Sequence, residues 1–191
     1  MSRIMKRFIL LTILSCLCFS QLVYAKEPSA LSGYWLTRKD DTHLPSSVIQ
    51  LHVDDDGSLY GQVIVGFYEV NAPLPDRVCS RCSARTVDGR YGVAHNQEIV
   101  GSYAVWGFKK RNTNTWVNGN LIRIKTGQRY RANMTLRSPD KLDVRAYYGV
   151  FYKTLRWERL TRTQVEDVCR GDISSVTVDV NVRSFCVSLK K

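Results

Sequence analysis

Two cysteines separated by two residues, Cys79 and Cys82, have a spacing that could support chemistry. A Cys-x-x-Cys pair can be a thiol redox centre, half of a zinc site or a short disulfide. Neighbouring arginines such as Arg77 and Arg81 would lower the pKa of a thiolate, but a thioredoxin-type centre needs a helix N-terminus in an α/β fold. A zinc site needs two further ligands, and His95 is the nearby candidate. A disulfide is the favoured interpretation.

The sequence has six cysteines, of which Cys16 and Cys18 lie near the start of the chain. The other four would form disulfides in an oxidising compartment, with three connectivities to choose from. We predict local pairing, Cys79 with Cys82 and Cys169 with Cys186. The second bond would close a loop of about 18 residues, worth about 3 kcal/mol in the loop-entropy model.

No catalytic set stands out among the other reactive side chains. The three histidines, His43, His52 and His95, occur in unrelated contexts. The run Asp54–Asp56 resembles a calcium ligand cluster, but it lacks the alternating pattern and the closing glutamate, so a solvated turn is favoured. We therefore predict a protein that is not an enzyme and has no cofactor and no metal.

Aromatic side chains are more suggestive, because several cluster near predicted strand ends. A small β-barrel is either filled by its own side chains or holds one small ligand. Aromatic rings at a barrel mouth, together with one or two cations, would suit an amphipathic anion such as a fatty acid. The candidate ligand-binding residues are Trp106, Trp116, Tyr130, Arg131, Arg145 and Tyr147; Tyr148, Phe151 and Tyr152 lie close to them in the sequence.

The elements that must position these residues are strands, since the dominant hydrophobic period is two. Residues 49–53 and 59–65 alternate around a turn at 54–57, and residues 130–136 and 142–148 alternate around a turn at 138–140. Residues 99–108 read as a longer, less regular strand. We predict an all-β fold, an antiparallel up-and-down barrel of about eight strands, with an open sandwich as the alternative.

Three segments lie outside this meander. Residues 71–96 form a long polar connection of the kind that is often functional. Residues 161–170 start with a capping-type residue and predict a short helix, after which residues 176–186 alternate as a final strand.

Residues at the two ends of the meander predict a structural contact that closes the barrel. Gly33 and Trp35 open the first strand, whereas Trp157 and Arg159 close the last one. These two strands are neighbours in a closed barrel, so we expect Arg159 to lie over the ring of Trp35 as a cation–π contact.

The same segments carry a resemblance to a known family. The matching motifs include Gly33-Tyr34-Trp35-Leu36-Thr37, Gly57-Ser58-Leu59-Tyr60-Gly61, Ile99-Val100-Gly101, Trp116-Val117-Asn118-Gly119, Thr126-Gly127-Gln128-Arg129-Tyr130-Arg131-Ala132, Leu142-Asp143-Val144-Arg145-Ala146-Tyr147-Tyr148-Gly149 and Thr154-Leu155-Arg156-Trp157-Glu158-Arg159. These motifs occur in the order of the family over residues 33–159, so the chain resembles the bacterial DUF2147 family of exported proteins. The resemblance implies a lipocalin-like barrel and a small apolar ligand, but no established enzymatic activity.

The first 25 residues predict the compartment. They contain three basic residues, then an apolar run, then Val23-Tyr24-Ala25 ahead of a polar segment, which is the pattern of a secretory signal cleaved after Ala25. A lipoprotein anchored at Cys16 is a minor alternative. The domains predicted are a signal peptide at 1–25, a barrel at 26–160 and a C-terminal extension at 161–191.

The net charge of the chain limits the kinds of partner that it could bind. The chain has 28 basic and 17 acidic residues and a net charge of +11. The basic residues are scattered rather than gathered in one stripe, which disfavours nucleic-acid binding and leaves peripheral contact with a membrane open. The leading hypothesis is a periplasmic or secreted, non-enzymatic barrel that binds a small hydrophobic or amphipathic ligand. The alternatives are an envelope structural or interaction protein with a filled barrel and a basic surface, and a thiol redox protein.

Overall fold

The computed structural model of the chain describes residues 29–71, 73, 76–83, 89, 91–179 and 181–187. The predicted signal at 1–25 and the alternative anchor at Cys16 lie outside these residues. The described elements are nine strands and one helix, in the order β1 (Gly33–Arg38), β2 (Pro45–Val53), β3 (Ser58–Glu69), β4 (Tyr103–Lys110), β5 (Thr115–Arg123), β6 (Gln128–Ser138), β7 (Lys141–Tyr148), β8 (Phe151–Leu160), α1 (Arg162–Cys169) and β9 (Val182–Cys186).

The first eight strands form a closed barrel. Each pairs antiparallel with the next, and β1 also pairs with β8 through Trp35 opposite Arg159. Strand β3 has two successive partners along one edge. Its first half pairs with β4, and its second half, Val65–Glu69, pairs with β9. The predicted up-and-down barrel with a C-terminal helix and strand is therefore confirmed, and the open sandwich is wrong.

Large side chains fill the interior of the barrel. Cross-strand partners share a face, so the buried pairs Met134–Val144 and Leu142–Trp157 mark the inward face of β6, β7 and β8. Packing is tight across β4 and β5, where a Cβ added to Gly119 would lie 2.0 Å from the ring of Phe108. The buried residues of this core include Trp35, Leu51, Leu59, Phe108, Trp116, Met134, Leu142 and Trp157.

A second, smaller core lies between the outside of the barrel and the C-terminal segment. Leu36 and Ile64 of the barrel belong to the same buried cluster as Val165 and Val168 of α1. The helix begins with a capping box, in which the Thr161 hydroxyl accepts from the backbone N–H of Gln164 and the Gln164 side chain accepts from the backbone N–H of Thr161.

The bond between Cys169 and Cys186 ties α1 to β9, and Cys79 is bonded to Cys82. Both pairs are those predicted from the sequence. No helix among the described residues is long and apolar enough to cross a membrane.

Two predicted strands begin later than expected. Strand β4 begins at Tyr103, because the backbone N–H of Ser102 bonds to the carbonyl of Ile99 and closes a turn there. Strand β9 begins at Val182, because the backbone N–H of Asp179 bonds to the Thr177 hydroxyl and turns the chain. Hydrophobic side chains predicted strands in both segments, but hydrogen bonds within a turn end the extended backbone there.

Candidate functional site

Arg159 closes one end of the barrel, which we call the closed end. Its guanidinium donates to the carbonyls of Ala30, Ser32 and Pro139 at 2.5, 2.7 and 2.5 Å. Its Cζ lies 4.2 Å from the centroid of the Trp35 ring, which is the predicted cation–π contact. The Trp35 indole N–H donates to the carbonyl of Leu31, so the segment preceding β1 is held across this end.

The opposite end, which we call the open end, carries the loop at 39–44 and the turns at 124–127 and 149–150. The last of these joins β7 to β8 in a two-residue turn. Gly149 adopts a φ of 58°, and Tyr148 and Phe151 are the cross-strand pair that flanks the turn. Positive φ is the geometry that a tight hairpin turn needs at this position, and glycine adopts it without strain.

Aromatic rings stand exposed at this end on inward positions. Tyr148 and Phe151 continue the inward face of Val144 and Ala146, yet they are 66% and 75% exposed. The Tyr148 ring centroid is 6.3 Å from that of Tyr130 on the neighbouring strand. Together with Ala146 and Lys153, these residues form what we call the mouth cluster: Tyr130, Ala146, Tyr148, Phe151 and Lys153.

The single cation of the mouth cluster reaches across the open end. Lys153 is the cross-strand partner of Ala146, and its Nζ lies 2.7 Å from a carboxylate oxygen of Asp40 in the β1–β2 loop. Both side chains are about half exposed. A ligand carboxylate could compete with Asp40 for this ammonium group.

A second aromatic group lies on the outer face of the same hairpin. Tyr147 and Tyr152 are cross-strand partners whose ring centroids are 6.1 Å apart. The guanidinium carbon of Arg145 lies 4.5 Å from the centroid of Tyr152, and the Asn133 amide donates to the Tyr147 hydroxyl at 3.1 Å. We call Arg131, Asn133, Arg145, Tyr147 and Tyr152 the outer aromatic face.

The structure divides the six predicted ligand-binding residues between the two faces of the sheet. Tyr130 belongs to the mouth cluster, and Trp116 is buried inside the barrel opposite Met134, with an indole N–H that has no hydrogen-bond partner among the described residues. The other four share the outer face, where Trp106 lies buried with Arg129 stacked 5.3 Å from its centroid. These four are Trp106, Arg131, Arg145 and Tyr147. The set therefore does not converge on one pocket.

Sequence reasoning missed the residues that do converge. Tyr148 and Phe151 were visible only as members of an aromatic run. The informative signal was their position on either side of Gly149-Val150, since a two-residue turn makes the flanking residues a cross-strand pair on one face.

The Cys79–Cys82 loop lies against the wall of the barrel at the β5–β6 turn. The Cys79 sulfur lies 3.4 Å from the carbonyl of Ile124, and both cysteines are buried, at 1% and 2% exposure. His95 directs its Nδ1 at the carbonyl of Cys82, 3.0 Å away. A buried disulfide in packed surroundings is inert towards exchange, which suits a structural bond.

Within the described part of the chain, no three side chains of the metal-ligating types are grouped closely enough to hold an ion. A groove of about 500 Å³ lies on the outer wall of β6, β7 and β8 and is lined by charged side chains. These charges are paired, Arg137 with Asp143 at 2.7 Å and Lys141 with Glu158 at 3.3 Å. Partial burial would raise the pKa of Glu158, but hydrogen bonds from Arg38 and Lys141 outweigh it and lower this pKa. The groove is thus a solvated ionic surface and no site for an apolar ligand.

Comparison with known proteins fits the barrel that the structure shows. Residues 33–159 match the model of a family described as an uncharacterized protein conserved in bacteria, DUF2147. The chain belongs to the DUF2147 family. This match covers the whole of β1 to β7 and β8 up to Arg159, whereas α1 and β9 lie beyond it.

The fold of this DUF2147 protein is shared with a solved lipocalin. The protein HP1028 from the human pathogen Helicobacter pylori, described as belonging to the lipocalin family, superposes with a TM-score of 0.56 at 16% identity. The superposition covers 72% of this chain and 87% of that one, so the likeness is in the fold. No curated protein matched the sequence.

Proposed function

We propose that this DUF2147 protein binds a small amphipathic ligand at the open end of its barrel and catalyses no reaction. The observation that carries the proposal is the mouth cluster, in which Tyr148 and Phe151 are exposed on positions that face inward. Large apolar rings left in water at the mouth of a barrel are typical of a ligand site. The lipocalin-like barrel is compatible with such a site.

The packing of the interior restricts the size of the ligand. Met134, Val144 and Leu142 are fully buried directly below Ala146, so a ligand tail would lie along the rim and would not reach the barrel centre. Tyr130, Tyr148 and Phe151 would cover the tail. The anionic head group of the ligand would replace Asp40 as the ion-pair partner of Lys153. A short-chain or medium-chain carboxylate fits this arrangement.

The proposed compartment is the periplasm or the cell exterior. Two disulfides support it, because such bonds persist in oxidising compartments and are rare in the cytosol. The signal predicted for residues 1–25 points the same way, and amino-terminal sequencing of the exported protein would show whether the chain starts after Ala25.

The test is the titration of the purified protein with a fluorescent carboxylate that carries a short acyl chain. We expect saturable binding to the wild type, and a loss of about tenfold or more in Ala146→Phe, where a ring occupies the space below the mouth. The matched control is Thr154→Phe, which adds the same ring to an exposed outward position on β8. Failure of the wild type to bind any chain length, or equal binding by Ala146→Phe, would overturn the proposal.

A second candidate is an interaction protein of the envelope that uses a filled barrel as a scaffold. The tight contact of Gly119 with Phe108 and the buried tryptophans favour it. The same titration separates the two functions, because a scaffold would leave the acyl probe unbound in every variant.

A further inference from the structure

The turn between β7 and β8 exposes an unusual run of apolar side chains. Tyr148, Val150, Phe151 and Tyr152 are 66%, 90%, 75% and 59% exposed, and they are consecutive apart from Gly149. Among the described residues, only two other large hydrophobic side chains are exposed, Val70 and Val178, and they are far apart in sequence. We call residues 148–152 the apolar tip.

The pairing of the hairpin keeps the side chains of the apolar tip exposed. Its two strands are paired in full register, from Lys141 opposite Glu158 to Tyr148 opposite Phe151. The register of β8 with β1 covers only Glu158–Leu160, so the tip projects above the end of β1. Because the hairpin is paired up to its turn, its backbone holds these side chains in exposed positions in the folded protein.

Cations surround the apolar tip. Arg131 and Arg145 are exposed on the outer aromatic face beside it, and Arg123 and Lys125 are exposed at the neighbouring β5–β6 turn. Arg145 lies over the Tyr152 ring, and a cation–π contact of this kind does not neutralise its charge.

The described carboxylates of the β1–β2 loop and of the end of β3 are fewer than these cations. Asp40 is paired with Lys153 and Glu69 with Lys39, which leaves Asp41 as the further described carboxylate of the β1–β2 loop. The four cations named above therefore outnumber Asp41, whose carboxylate is attracted to Lys39 and Lys125, in a chain whose net charge is +11.

We propose that the apolar tip inserts into the surface of an anionic bilayer, while Arg123, Lys125, Arg131 and Arg145 bind its head groups. Tyrosine and phenylalanine with adjacent cations are the side chains that proteins place at the interface between head groups and acyl chains. Each basic residue near an anionic surface strengthens binding by about fivefold. This site goes beyond the proposed ligand binding and does not depend on it.

The experiment measures sedimentation of the purified protein with vesicles of phosphatidylcholine that contain about one third phosphatidylglycerol, and with vesicles of phosphatidylcholine alone. We expect the wild type to bind the anionic vesicles and to be released as NaCl rises from about 50 to about 500 mM. In Val150→Ser/Phe151→Ser, the partition coefficient should fall by about tenfold, since two exposed apolar side chains no longer enter the bilayer. Arg131→Gln/Arg145→Gln should lower it on anionic vesicles to a similar extent.

Two matched controls separate the tip from general stickiness and charge. Val178→Ser removes a fully exposed apolar side chain elsewhere, and Arg111→Gln removes an exposed charge at the β4–β5 turn of the opposite end. Both should bind vesicles as the wild type does. All the substituted side chains are exposed, so circular dichroism should show an unchanged fold.

Absence of wild-type binding to anionic vesicles, or equal binding by Val150→Ser/Phe151→Ser, would overturn the proposal. Self-association that the tip substitutions abolish, in a protein that ignores vesicles, would assign the tip to a second copy of the chain and would also overturn it. Titration of the acyl probe without vesicles reports ligand binding separately, so either proposal can fail alone.

Discussion

Arg159 is a structural cation whose contacts are nearly all with neutral groups. It donates to three backbone carbonyls and covers Trp35, and partial burial lowers its pKa, an effect that Asp140 opposes. We expect Arg159→Ala to lower the free energy of unfolding by about 2–4 kcal/mol, because hydrogen bonds to a charged donor and a cation–π contact are lost together. Urea denaturation measures this.

The control for that substitution is Arg156→Ala on the same strand, where the side chain is exposed on the outer face. Its effect should stay within about 0.5 kcal/mol of the wild type. Equal losses in the two variants would contradict a specific role of Arg159 in closing the barrel.

Asp56 makes the β2–β3 turn sensitive to acid. Its pKa falls from the usual 3.8 to about 2, first because its carboxylate accepts from the backbone N–H of Ser58, and further because the hydroxyls of Tyr60 and Ser58 donate to it, which together outweigh desolvation. Since the folded pKa is below the unfolded value, the stabilisation is complete above about pH 4 and is lost as the pH falls towards 2.

Unfolding curves between pH 5 and pH 2 test this assignment, with the pH range taken from the shift of Asp56. The free energy of unfolding should fall less steeply in Asp56→Asn than in the wild type over this range. Asp55→Asn removes an exposed charge from the same turn and should retain the wild-type slope. A wild-type slope in Asp56→Asn would show that other groups carry the acid response.

At the scale of elements, the sequence predicts most of the barrel because period two alternation continues up to clear turns. Strands β2 and β3 around residues 54–57 are the best example. The face of the sheet on which each predicted site residue lies was harder to predict from the sequence. Trp106 lies on β4, where the register with β3 shifts twice and Gly107 has a φ of 73°, and such bulges change which face a residue occupies. No rule of alternation could place Trp106 on the outside.

The two disulfides close loops of very different length. Cys169–Cys186 spans 17 positions and ties α1 to β9, whereas Cys79–Cys82 spans three positions. We expect Cys169→Ser/Cys186→Ser to lose about 3 kcal/mol and to open the second core, because the longer closed loop restricts the unfolded chain more.

Denaturation combined with limited proteolysis checks this expectation. Cleavage in the variant should appear after Leu160, between the barrel and α1, while β1 to β8 stay protected. The matched variant Cys79→Ser/Cys82→Ser should keep α1 and β9 protected. Wild-type resistance of the C-terminal segment in Cys169→Ser/Cys186→Ser would show that packing of Val165 and Val168 suffices to hold it.

At the scale of the whole molecule, the two barrel ends are chemically opposite. Arg159 and the segment before β1 close one end through backbone hydrogen bonds, whereas the other end presents the apolar tip and four cations. If the tip contacts a bilayer, only one end of the barrel touches the membrane, so the barrel axis must be inclined to the membrane plane. The mouth cluster belongs to the same end and must then face the lipid. A ligand drawn from the bilayer would then reach Tyr130 and Ala146 without crossing bulk water.

This orientation can be measured with two single tryptophans added to the buried native set. Val150→Trp places an indole in the apolar tip, and Thr113→Trp places one in the exposed β4–β5 turn at the closed end. With vesicles that contain brominated acyl chains, we expect extra quenching of emission for Val150→Trp and none for Thr113→Trp, because bromine quenches only indoles that reach the acyl region. Quenching of Thr113→Trp alone would reverse the orientation, and equal quenching of both would mean that the barrel lies on its side with its mouth turned away from the lipid.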